Sequence, residues 1–297
     1  MIVITTPSGT NGHQVVELVL RAGEPVRVIA RDPSRLEPEV RRRVEVIKGS
    51  LNDRAVVQRA YEGADSVFFV VPPDPQTDDV NRHYLSLAQV TAEAVRAQGV
   101  RRLVWISTLG RDTSKEAGLF TAALAADKPL KATGVEHRIL RPAVYMDNLL
   151  WQIKPMLSKG VFALANAADQ PHFTVATRDI AATAASLLMD RAWSGRGDIA
   201  LIGDTLTPNE MAEVMSEVLD RPIRYRQLTP AEYKADMMAT GAGEAYAQSL
   251  ADIIVAENSG FYASEPDTSA RTATNFTQWS EEVLKPAIAA AAVATAA

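Results

Sequence analysis

The chain contains no cysteine among its 297 residues. That excludes disulfides, thiol nucleophiles and cysteine-based metal sites. Histidine is scarce as well. His13, His83, His137 and His172 are scattered without metal-ligand spacing, so no metal site is expected. Outside the alanine-rich end, no stretch is apolar for long enough to cross a bilayer. The opening residues have neither the basic region nor the apolar core of a signal peptide, and a cytoplasmic protein is expected. No G-x-S-x-G hydrolase elbow occurs. Nor is there a large charge excess. A net charge of −5 argues against a nucleic-acid partner, and Arg41-Arg42-Arg43 reads as a solvated stretch before a strand.

What is present begins with a 47% hydrophobic composition, ample for a large core. Residues 2–6 are a short β-branched run, followed by Pro7-Ser8-Gly9-Thr10-Asn11-Gly12. Helical spacing of apolar residues runs from His13 to Ala22, and Gly23 and Pro25 stop it before a second strand at Val26–Ala30. A strand entering a helix through a tight glycine turn aims free backbone N–H groups at one point, which suits a pyrophosphate. Gly9 and Gly12 fill the last two places of a G-x-x-G-x-x-G spacing, and Thr6 stands where the first glycine belongs. After the second strand comes Arg31-Asp32-Pro33-Ser34-Arg35. An NAD site places a carboxylate at the strand end, but here Arg31 holds that place with Arg35 nearby. Two guanidiniums suit a 2′-phosphate, so NADP(H) is the expected cofactor, with Asp32 leaving NAD as the alternative.

The alternation continues. Strands are predicted at 44–47, 66–71, 102–107 and 135–142, and helices at 54–61, 80–98 and 115–132, with Asn52 or Asp53 as a cap. This is an α/β pattern and predicts a Rossmann-type, doubly wound parallel sheet over residues 1–145. Past residue 142 the rhythm loosens into a smaller, mostly helical C-terminal lobe over 146–286, with strands returning to the main sheet. Thr207-Pro208-Asn209-Glu210 and Thr229-Pro230-Ala231-Glu232 each read as a cap, a proline at the first helical position and an acidic first turn. Residues 287–297 form an alanine-rich tail to which no function is assigned.

These residues resemble the NmrA-like group of atypical short-chain dehydrogenase/reductases. Thr6-Pro7-Ser8-Gly9-Thr10-Asn11-Gly12 is similar to that group's G-A-T-G-x-x-G, and Val28–Pro33 resembles its strand end, where the arginine suits NADP. Gly49-Ser50-Leu51 resembles a G-D-L element beside the adenine, with Ser50 in place of the acid. Leu130-Lys131-Ala132-Thr133-Gly134, Ile139–Asn148 and Thr177-Arg178-Asp179-Ile180-Ala181 are similar to L-R-A-S-G, I-L-R-P-G-x-F-M-E-N and V-R-D-I-A. The resemblance implies NADPH-dependent reductases of quinones and triphenylmethane dyes, or redox-sensing regulators that bind the dinucleotide without known chemistry.

The usual short-chain acid is missing, since none of the seven tyrosines has a lysine four residues later. Ala123 stands where some group members carry a lysine. Ketone reduction by the usual mechanism is thereby disfavoured, but a quinone or cationic dye accepts hydride without a strong acid. The expectation is an NADPH-dependent oxidoreductase acting on a quinone-like or other conjugated aromatic acceptor. Gly9, Thr10, Asn11 and Gly12 would hold the pyrophosphate, with Thr6 and Ser8 also in the cofactor set, and Arg31 and Arg35 the 2′-phosphate. Ser50, Leu51, Val71, Pro72 and Pro142 complete the cofactor set, while Ser107 and Tyr145 would face the substrate. His172 is a further pocket candidate. The alternative is a non-catalytic NADP(H) sensor acting through a protein partner. Neither a membrane nor a nucleic acid is expected as a partner, and a homodimer stays open.

Overall fold

A computed structural model describes residues 1–110, 115–262 and 271–296. The chain divides into two compact units. The first comprises Met1–Thr108, Leu119–Arg141 and Ile180–Ile199. Its strands are β1 (Ile2–Ile4), β2 (Val26–Ala30), β3 (Glu45–Lys48), β4 (Ser66–Phe69), β5 (Arg102–Ile106) and β6 (Glu136–Pro142). The helices between them are α1 (Thr10–Arg21), α2 (Pro38–Arg43), α3 (Arg54–Tyr61), α4 (Val80–Ala97) and α5 (Leu119–Lys131). These six strands run parallel, and with β10 (Arg196–Leu201) they form a seven-stranded sheet in the order β10-β6-β5-β4-β1-β2-β3.

β1 and β4 are buried along their whole length, as parallel strands covered on both faces are; β1 is apolar throughout, and Ser66, the polar residue that opens β4, donates its hydroxyl to Leu188 O at 3.1 Å. The chain steps outward from β1 to β2 and β3, then returns to place β4 on β1's other side. The strand order therefore reverses between β1 and β4, and a crevice opens there beyond the strands' carboxyl ends. Several predicted boundaries move at this edge. β1 ends at Ile4 rather than residue 6, β4 at Phe69 rather than residue 71, and α1 starts at Thr10 rather than His13. The residues released all join the loops beyond β1 and β4. Asp53, not Asn52, caps α3, accepting from the backbone N–H groups of Ala55 and Val56.

The second unit comprises Leu109–Gly118, Pro142–Asp179 and Ala200–Ala297. Its elements are β7 (Val144–Tyr145), α6 (Ile153–Lys159), β8 (Val161–Leu164), β9 (His172–Val175), the start of α7 (Thr177–Met189), β11 (Asp204–Leu206), α8 (Pro208–Leu219), β12 (Arg224–Gln227), α9 (Pro230–Ala239), α10 (Glu244–Asn258), α11 (Phe276–Trp279) and α12 (Lys285–Ala296). The strands form two small sheets, β11-β9-β7 and β12-β8. Phe162, Met211, Met215, Phe276 and Trp279 make a core of this unit's own. Ile288 of α12 is buried in that core, so the alanine-rich end is anchored at its start. No helix among the described residues is long and apolar enough to cross a membrane.

α8 and α9 both begin with a complete capping box, Thr207 with Glu210 and Thr229 with Glu232. Each satisfies orphan N–H groups at both the cap and the third helical position. Thr207→Ala should lower the unfolding free energy by about 1 kcal/mol in urea titration, and Thr207→Ser should recover most of it.

Candidate active site

The glycine loop is shaped by one contact. A Cβ on Gly12 would lie 1.8 Å from the carbonyl oxygen of Thr6, so only glycine lets the first turn of α1 press onto the end of β1. Gly9 differs. Its φ is −86°, and a Cβ there would meet nothing nearer than 3.5 Å. Folding therefore requires Gly12 but not Gly9, and a glycine unneeded by the fold leaves room for something outside it. Ser8, Gly9 and Thr10 are exposed, no side chain caps α1, and its first turn holds no acid. An anion meets no competing charge at this helix end. The Thr6 hydroxyl is buried without a hydrogen-bond partner. His13 is exposed, its Nδ1 placed 2.9 Å from the Gly9 carbonyl.

The neighbouring loops lie at the same sheet edge. Thr5 donates its N–H to Phe68, and its hydroxyl accepts from Val70 N at 3.4 Å, which sets the loop after β1 beside Val71 and Pro72. His83 Nε2 donates to Pro72 O at 2.8 Å and ties that loop to α4. Gly49 N donates to Ala30 O at 3.1 Å, which places Ser50 and Leu51 beside the end of β2 and Arg31. Arg31 and Arg35 are exposed. Asp32, between them, is already engaged: its Oδ1 accepts from Ser34 N at 3.0 Å and Ser34 Oγ at 2.7 Å. Those two bonds hold its carboxyl below the ordinary range. Cationic donors are thus open at the strand end where the one carboxylate is occupied.

Ser107 follows β5 and is buried. Its hydroxyl donates to Asp127 Oδ2 at 3.1 Å, leaving its lone pairs for any further partner. Asp127 is the hub of a cluster with no counterpart in the sequence motifs. Trp105 Nε1 donates to it at 2.7 Å and Arg141 Nη2 at 3.2 Å, while Arg141 also reaches Asp198 at 3.0 Å and Thr108 O at 2.9 Å. Burial pushes the Asp127 carboxyl up, and Trp105, Arg141, Lys131 and Ser107 counter that in part. Arg141, the arginine of the I-L-R-P run, is an internal tie between the end of β5 and α5.

Within the second unit, Pro142 is buried and Tyr145 is half-buried at the end of β7. Two motif carboxylates there are structural. Asp147 accepts from Thr177 N and Oγ1 and so caps α7, while Asp179 accepts from Thr274 N and Oγ1, both at 2.9 Å. A second polar cluster surrounds Glu257 in the last turn of α10. Asn166 Nδ2 donates to Glu257 Oε2 at 2.8 Å, Tyr262 OH donates to Oε1 at 2.7 Å, and His172 Nδ1 lies 3.7 Å from Oε2. These side chains, with Phe173 and Asn258, line a cleft of about 230 Å³. Sequence reasoning flagged only His172 of this set. The others come from distant positions and carry no motif.

The two loop glycines separate folding from binding. Gly12→Ala should destabilise the protein by about 1–3 kcal/mol in denaturant titration through the forced backbone shift. Gly9→Ala should change stability by less than about 0.5 kcal/mol.

Among curated proteins, the chain is 30% identical over 286 residues to the (4-alkanoyl-5-oxo-2,5-dihydrofuran-3-yl)methyl phosphate reductase of Streptomyces griseus, covering 95% of this chain and 97% of that one. It is 26% identical over 265 residues to quinone oxidoreductase 2 of Escherichia coli, covering 88% and 89%. A solved NADPH-dependent quinone oxidoreductase of Escherichia coli, complexed with NADPH, superposes with a TM-score of 0.80 at 22% identity, over 96% of this chain and 100% of that one. The model of the NmrA-like family matches residues 1–281, and the chain belongs to that family.

Proposed function

We propose that the protein is an NADPH-dependent reductase that passes hydride to a conjugated, electron-poor acceptor such as a quinone. The observation that carries this reading is the first unit's sheet edge: a glycine loop at an uncapped helix end, open Arg31 and Arg35, and an Asp32 already bound to Ser34. The residues fit a dinucleotide bearing a 2′-phosphate. Backbone N–H groups of residues 8–12 would hold the pyrophosphate, with the Thr6 hydroxyl available beside them. The forked guanidiniums of Arg31 and Arg35 match phosphate oxygens. Ser50 and Leu51 would border the adenine, and Val71, Pro72 and Pro142 the rest of the cofactor. When bound, its reduced nicotinamide supplies a hydride.

The acceptor class follows from what is missing and from the relatives. With no Y-x-x-x-K pair, the chain lacks the usual acid for protonating an alkoxide. A quinone or an unsaturated lactone needs less help, because conjugation spreads the developing charge and water can supply the proton. The names of the Streptomyces griseus and Escherichia coli relatives describe acceptors of this kind, a 5-oxo-2,5-dihydrofuran and a quinone. Ser107 and Tyr145 are proposed to face the acceptor, Ser107 through the lone pairs that its bond to Asp127 leaves open and Tyr145 through its ring.

Binding tests the cofactor assignment. Arg31→Glu should weaken NADPH at least roughly tenfold in fluorescence titration while NADH changes by less than about twofold. Equal losses for both dinucleotides would remove the 2′-phosphate assignment. Gly9→Ala, neutral for folding, should weaken both.

A further inference from the structure

Ser107 belongs to the first unit, at the sheet edge where the glycine loop lies. β5 pairs with β4 in parallel, Trp105 opposite Phe69, so two residues further on Ser107 falls beside Val71 of the loop after β4. Its backbone N–H donates to Leu140 O at 2.8 Å, which holds it against β6. Trp105 and Ser107, two apart on extended backbone, share a face of the sheet, and both reach Asp127 of α5. α5 connects two parallel strands and so runs back from their carboxyl ends. Ala123, one turn before Asp127 on the same helix face, is therefore the nearer of the two to the crevice.

Asp127 decides what Ser107 can offer there. Trp105 Nε1 and Arg141 Nη2 have only hydrogens to give, and each gives one to a different oxygen of the carboxylate. The Arg141 charge, at 3.2 Å, keeps Asp127 an anion. Ser107 therefore commits its single hydroxyl hydrogen to Oδ2. Only lone pairs remain on its Oγ, and lone pairs repel a carbonyl oxygen. Arg141 is spent on Asp127, Asp198 and Thr108 O, and Ala123 has no hydrogen to donate from its side chain.

We infer that the acceptor carries a hydroxyl group, set apart from the carbonyl that is reduced, and that this hydroxyl donates to Ser107 Oγ. Asp127 is the positioning residue that keeps Ser107 an acceptor. The inference rests on the reductase reading, which sets Ser107 against the acceptor, and narrows its substrate class from conjugated acceptors in general to hydroxyl-bearing ones. The hydroxyl keeps its hydrogen throughout. It orients the acceptor and takes no part in the electron balance. An acceptor whose polar groups are all carbonyls gains nothing from Ser107.

The test compares three 1,4-naphthoquinones that differ only at position 2: hydroxymethyl, methoxymethyl and methyl. The ether keeps the oxygen and removes its hydrogen. Each is titrated by tryptophan fluorescence into protein loaded with NADP+, which has no hydride to give. Wild type should bind the hydroxymethyl compound roughly tenfold more tightly than either of the others. Ser107→Ala should bring that ratio to about one. Asp127→Asn frees the Ser107 hydrogen and should do the same, a change of preference that a merely structural role of Asp127 would not produce. Should Asp127→Asn fail to fold, the wild-type and Ser107→Ala ratios decide. Equal binding of the three quinones by wild type, no binding of any of them, or a preference that survives in Ser107→Ala overturns the inference. The reductase reading is decided separately, with NADPH in place of NADP+: if wild type oxidises it with none of the three, that reading falls, whatever the binding ratios.

Discussion

The contact between the first turn of α1 and the Thr6 carbonyl is the constraint on which the first unit's chemistry depends. A side chain at residue 12 would lie 1.8 Å from that oxygen. Glycine there lets the helix begin immediately beyond β1, with its free N–H groups directed at the crevice where the strand order reverses. The hydrogen bonds from Thr5 to β4 and from Gly49 to Ala30 then bring the loops after β2, β3 and β4 to the same edge. Loss of the first glycine, replaced by Thr6, does not undo this, because the close approach falls at Gly12.

Each unit also carries a buried carboxylate, and their surroundings differ in kind. Asp127 faces Arg141 at 3.2 Å, with Trp105 and Ser107 as further donors, so its charge is paired inside the unit. Removing one partner of such a pair costs roughly 3–5 kcal/mol, because the other is left buried and uncompensated. Among the described residues, Glu257 has no arginine or lysine paired with it. Its neighbours are an amide, a phenol and an imidazole. Tyr233, also near it, has its hydroxyl pushed up to about 12, by burial first and then by the Glu257 charge. The first cluster holds β5, β6 and α5 together. The second ties Asn166 and Tyr262 to the end of α10.

Much of this was legible in the sequence, for local reasons. The strand–glycine–helix unit, the arginine at the end of β2 and the threonine caps of α8 and α9 are all short-range signals, and each determines its own backbone. Strand ends were read too long where apolar residues continue past the sheet, as at Val70 and Val71. The polar clusters were not legible. Asn166 and Glu257 meet across 91 positions, and Arg141 and Asp198 across 57, with nothing in spacing or composition to pair them. Asp147 and Asp179 were visible as motif residues, but only their partners Thr177 and Thr274 show that they cap and staple rather than react.

Single-turnover absorbance tests the central claim most directly. Protein loaded with NADPH is mixed without oxygen with 1,4-naphthoquinone, and the reduced-nicotinamide band is followed. The account predicts loss of the band in proportion to protein, faster than in free solution, with one quinone reduced per NADPH consumed. NADPH that stays bound and reduced in the presence of the quinone would contradict it and would identify the chain as a dinucleotide sensor.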